Sequence, residues 1–175
     1  ASNQTRGIFA GGLYPGSTTH NDMDYITIAS TGNAADFGNL SVSRADTSAL
    51  ASPTRMVVAG GVTPGPTYHV DVDYVTIATT GNAADFGDLN TGKRAGTAVA
   101  NSTRGVFGPG RAPSVSNVID YITIASTGNA IDFGNLATSR RGAEGCSNQT
   151  RAVCAGGNND SGTHYNVMEY VTIAS

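Results

Sequence analysis

The chain has 175 residues, a formal net charge of −3, only 13% charged residues and no tryptophan. That length fits one compact domain, the absence of any Lys/Arg cluster argues against a nucleic-acid footprint, and no apolar run approaches the roughly 20 residues of a membrane-spanning helix. No stretch reads as a secretory signal peptide, and the first residue is Ala rather than Met, as expected of a processed, excised or incompletely known chain.

In chain order, the first unit opens with Thr5-Arg6-Gly7-Ile8-Phe9-Ala10-Gly11-Gly12, a strand to which we give the letter B. A variable segment, 13–23, follows. Strand C begins at Asp24-Tyr25-Ile26-Thr27-Ile28, a turn at Thr31-Gly32-Asn33, and strand D at Asp36-Phe37. The same run returns at 73–87 and 120–134 and starts a fourth time at Glu169-Tyr170-Val171-Thr172-Ile173. The Thr-Arg pair of strand B recurs at Arg55, Arg104 and Arg151. The third unit shows all four parts, because a small-residue strand A, Arg94 to Ala100, precedes its strand B. Self-similarity at a period near 49 residues marks a repeat array, with units at about 1–40, 41–89, 90–136 and 137–175 of one domain spanning 1–175.

Strand C is β-branched and neither of its faces is strongly polar, as expected of a sheet covered on both sides. No segment carries an apolar period of 3.6 residues, so helix should be nearly absent. Four short antiparallel strands per unit is the pattern of a propeller blade. The predicted fold is therefore all-β, a propeller of about four four-stranded blade equivalents with incomplete terminal blades. Strands B and C occur four times and strands D and A three times each. This predicts open edges at Thr5–Phe9 and Tyr170–Ser175: the chain is a slice of a longer array, closes as four blades with half a blade from each end, or pairs with other copies, and we expect the last.

The double glycines Gly11-Gly12, Gly60-Gly61 and Gly156-Gly157, followed by Tyr25, Tyr74, Tyr121 and Tyr170, resemble the kelch repeat. Phe37, Phe86 and Phe133 stand where kelch repeats have tryptophan, and Pro109-Gly110 replaces one double glycine. The run at 120–136 also resembles tandem repeats of structural proteins from marine bacteriophages, cyanophages among them. That resemblance implies a virion or extracellular location, with other virion proteins, a further copy, or a host-surface glycan or protein as partners.

Several residues are candidates for function. The segments between strands B and C diverge while the frame stays constant, and loops on a rigid scaffold are where binding concentrates. They carry Tyr14, Tyr68 and Tyr165 and all three histidines, His20, His69 and His164. These six are the expected ligand contacts. Arg6, Arg55, Arg104 and Arg151 fall near the C–D turns that hold Asp36, Asp85 and Asp132, and we expect Arg–carboxylate pairs fixing each turn. A ring of arginines binding an anion is the alternative. Cys146 and Cys154 read as two buried thiols, or as a cross-strand disulfide if the register allows it. Five Asn-x-Ser/Thr sequons, at Asn3, Asn39, Asn101, Asn148 and Asn159, matter only in a eukaryotic secretory route. No spacing indicates a metal site, a cofactor or a catalytic constellation, and no membrane insertion is expected. The function expected is a non-enzymatic virion or adhesion module, with a secreted bacterial lectin as the alternative and a propeller-based enzyme as a weaker one.

Overall fold

The structure, a computed structural model, describes residues 1–174; Ser175, the last residue of the expected C-strand edge, lies outside them. The described residues form strands and turns, with no helix. The first unit supplies β1 (Arg6–Tyr14), β2 (Thr18–Thr27) and β3 (Ala35–Asn39). The second supplies β4 (Ser48–Ala51), β5 (Arg55–Ala59), a small hairpin of β6 (Val62–Thr63) and β7 (Thr67–Tyr68), then β8 (Asp71–Thr76) and β9 (Ala84–Asp88). The third supplies β10 (Ala98–Ala100), β11 (Arg104–Phe107), β12 (Ser116–Thr123) and β13 (Ile131–Arg140). The fourth supplies β14 (Glu144–Ser147), β15 (Arg151–Ala155) and β16 (Met168–Thr172). Each unit folds as its own antiparallel sheet, ordered β1-β2-β3, β4-β5-β8-β9, β10-β11-β12-β13 and β14-β15-β16.

Successive sheets pack face to face, and the alternation of side chains along a strand explains why both faces are apolar. In β5, Met56 and Val58 face the first sheet while Val57 and Ala59 face the third, and all four are buried. Three cores result. The first joins Ile8, Met23 and Phe37 to Met56, Val75 and Ile77. The second joins Val57, Val72 and Phe86 to Phe107, Ile122 and Ile124. The third joins Val106, Ile119 and Leu136 to Ala152 and Ile173. Within each of the first three sheets the frame tyrosine meets the strand-D phenylalanine edge to face, at a centroid distance of 5.9 Å in all three pairs.

The turns between strands A and B explain most of the sequons. Asn3, Asn101 and Asn148 each turn the side-chain oxygen back to accept the backbone N–H groups two and three residues on, at 2.7–2.9 Å. Such local bonds are why Asn favours turns. The four A–B turns surround one open cavity of about 600 Å³, with Asn3, Pro53, Asn101 and Asn148 on its wall.

Two expectations are corrected. The first unit is not without a strand A. Ala1 and Ile8 exchange backbone hydrogen bonds at 2.8 and 3.0 Å, and Ser2 bridges Gly7, so a two-residue stub covers the edge expected at Thr5–Phe9. The segment 13–23 is not a loop in the first unit, because β1 and β2 run on as a hairpin with a two-on-one irregularity at Ala10/Gly12. Among the described residues no strand pairing joins the first sheet to the last, so the closed ring implied by the propeller expectation is not seen. The cysteines are free. Cys146 pairs with Val153 and Cys154 with Gly145, which sends the two thiols to opposite faces of their sheet and rules out a disulfide in this register. Cys154 is half-buried in the third core and Cys146 is exposed.

Candidate functional site

The repeated arginines do not pair with the strand-D aspartates. Arg6 donates from Nη1 to the carbonyl of Ile77 at 2.9 Å, Arg55 to that of Ile124 at 2.7 Å, and Arg104 to that of Ile173 at 2.9 Å. Each bond therefore crosses to the next sheet. Each guanidinium also lies over the tyrosine of its own sheet, 4.3–4.7 Å from the ring centroid, and Arg151 does the same over Tyr170. Asp36, Asp85 and Asp132 instead accept the N–H of the glycine two residues on, at 3.0–3.1 Å. A two-residue reach suits an Asp side chain at a turn, and it leaves the arginine free to bind between sheets.

Three ion pairs between successive units come from cations to which the sequence reading assigned no role. Arg44 donates to Asp73 at 2.8 Å and to the carbonyl of Asp71 at 2.7 Å, with its side chain fully buried. Ser41 donates to the same Asp73 oxygen from its backbone and its hydroxyl. Lys93 donates to Asp120 at 2.9 Å, and Asn90 holds the other oxygen at 2.7 Å. Arg140 pairs with Glu169, whose second oxygen accepts the N–H of Ala137 at 2.7 Å. In each of these three pairs a cation at or after the end of strand D of one unit captures the carboxylate near the start of strand C in the next. Burial lowers the pKa of Arg44 and of Lys93, while the facing carboxylates pull each back up. The signal was present in the sequence as cations recurring at 44, 93 and 140 in step with carboxylates at 73, 120 and 169.

The first sheet has the fourth copy of that carboxylate, Asp24, which lies opposite Asp36 and, among the described residues, pairs with no cation. It lies on the wall of a cleft of about 480 Å³ together with Phe9, Tyr14, His20, Asp22 and Asp36. The long β1–β2 hairpin builds this cleft. Register pairs Phe9 with Asp24 and Gly12 with His20. His20 meets the Tyr14 ring edge-on at a centroid distance of 3.7 Å, and its Nδ1 sits 3.2 Å from Asp22 Oδ2. Its Nε2 is buried without a hydrogen-bond partner. Chemically the cleft offers aromatic surface and three carboxylates.

The other expected contacts do not join it. His69 lies between Asp71, at 2.9 Å from Nδ1, and Thr63, at 3.3 Å from Nε2, inside its own hairpin with Tyr68. Asp71 feels burial, which raises its pKa. The His69 contact, a backbone bond and the charge of Arg44 together outweigh that and hold it below the usual carboxylate value. His164 is exposed and bridges Asn158, and the Tyr165 N–H donates to Gly157. The six expected contacts are thus spread over three sheets, and the structure brings together only Tyr14 and His20. Against known proteins, no family model matches this chain and no curated protein matches it in sequence.

Proposed function

We propose that the chain is a non-enzymatic adhesion module, its sheets being consecutive blades of a kelch-like β-propeller, and that the cleft of the first sheet takes a hydroxyl-rich ligand such as a host-surface glycan. The observation that carries this reading is the Tyr14–His20–Asp22 group. Aromatic rings accept the apolar face of a sugar. Carboxylates accept its hydroxyl protons. The constant frame beside divergent B–C segments fits display. The resemblance of 120–136 to repeats of marine phage structural proteins supports a virion setting.

A glycan array with the purified chain tests the reading. The expected result is binding that falls by about tenfold or more in Tyr14→Ala and in His20→Ala, and that is unchanged in His164→Ala. An array without binding, or binding insensitive to both cleft substitutions, would overturn it.

A further inference from the structure

Three internal junctions are built to one pattern, and the molecule carries the two unmatched halves of a fourth. The forward face of each sheet supplies an arginine over a tyrosine. The rear face of the next supplies an isoleucine that is buried and whose carbonyl accepts the arginine. Ile77, Ile124 and Ile173 are 0%, 2% and 0% exposed. The matching residue of the first sheet, Ile28, is 50% exposed, and among the described residues nothing donates to its carbonyl. Beside it Phe9 is 61% exposed, whereas Phe107 at the same position in the third unit is 1%. On the fourth sheet the forward face is bare. Arg151 is exposed and, among the described residues, has no acceptor across from it, and Tyr170 and Met168 are 61% and 75% exposed.

We propose that these two faces bind each other between copies of this chain, with Arg151 and Tyr170 of one molecule docked on Phe9 and Ile28 of the next. The complementarity is already realised three times inside the molecule, which is why a second copy is the occupant. Contiguous apolar surface of this kind marks an interaction site. One molecule leaves both faces exposed, so it does not satisfy them itself. The junction is heterologous, since different patches meet. It closes into a ring if the rotation per copy permits and otherwise extends as a filament. The fourth sheet has only three strands among the described residues, without the strand-D linker whose cation reaches the strand-C carboxylate elsewhere.

Light scattering over a concentration series tests the proposal with four variants at exposed positions, where the fold itself should be indifferent. These are Ile28→Asp and Phe9→Asp on the rear face, and Arg151→Glu and Tyr170→Asp on the forward face. The wild-type chain should show a mass that rises with concentration above the single-chain 17.8 kDa. Each variant alone should remain at the single-chain mass. A mixture of one rear-face and one forward-face variant should regain association and stop at two chains, because only one intact junction remains. A wild-type mass fixed at 17.8 kDa up to the solubility limit would overturn the proposal. So would assembly that survives in both classes of variant, or folded variants that do not recombine on mixing.

Discussion

Asp73, Asp120 and Glu169 are each held by a cation from the preceding unit, and Asp24 is not. The same residue type at the same repeat position should therefore behave oppositely. Asp120→Ala would leave the Lys93 ammonium buried beside apolar neighbours and should cost about 3–5 kcal/mol. Asp24→Ala, at an exposed position, should change stability by less than about 0.5 kcal/mol. Urea unfolding of the two variants checks this, and equal effects would show that the ion pairs do not discriminate the positions. Asp71 adds a pH dependence. Its folded pKa lies below the ordinary value of about 3.9, so its contribution is complete above that value and is lost as pH falls through the folded one. Asp71→Asn should flatten the acid limb of the stability curve, slightly, because the group is partly exposed and screened. An unchanged slope below pH 4 would remove the His69 and Arg44 contacts as its cause.

At the scale of the element, strand D succeeds through one phenylalanine and one glycine. Phe86 is 2% exposed in the central core, and Phe86→Ala should cost about 3–5 kcal/mol, read from the shift in thermal melting. Phe133 is only half-buried, so its replacement should cost less. The glycine two residues after each strand-D aspartate has a positive φ, +140° at Gly87 and +129° at Gly134. A Cβ at Gly87 would also stand 2.6 Å from the backbone of Gly128 in the next sheet, whereas Gly134 has open space. Gly134→Ala should therefore show backbone strain alone, about 1–3 kcal/mol, and Gly87→Ala a larger loss. Equal losses would mean that the D-strand glycines serve only their own turns and not the contact between sheets.

Across the whole molecule, each sheet is held mainly by its neighbours, so stability should be distributed as in a linear array. The second and third sheets are covered on both faces, and the first and fourth on one. Hydrogen exchange, measured at a concentration where the chain is a single molecule, should protect β5, β8, β11 and β12 best and β14 and β16 least. Uniform protection across the four sheets would instead require an all-or-none unit with no weak ends.

The all-β class and the burial of Phe86 were legible in the sequence. They rest on local pattern: β-branched alternation, turn glycines and a repeat that forces the same answer four times. What Arg6 binds was not legible. Its partner is a backbone carbonyl 71 residues away, and carbonyls leave no mark on composition. The buried ion pairs could have been found from the repeat spacing of 44, 93 and 140, but proximity in the sequence favoured Arg with Asp of the same sheet. The tertiary structure decided otherwise: each guanidinium reaches a carbonyl of the next sheet. The Tyr14–His20 cleft was likewise decided in three dimensions. Only the extension of β1 and β2 into one hairpin brings those residues together around one cleft.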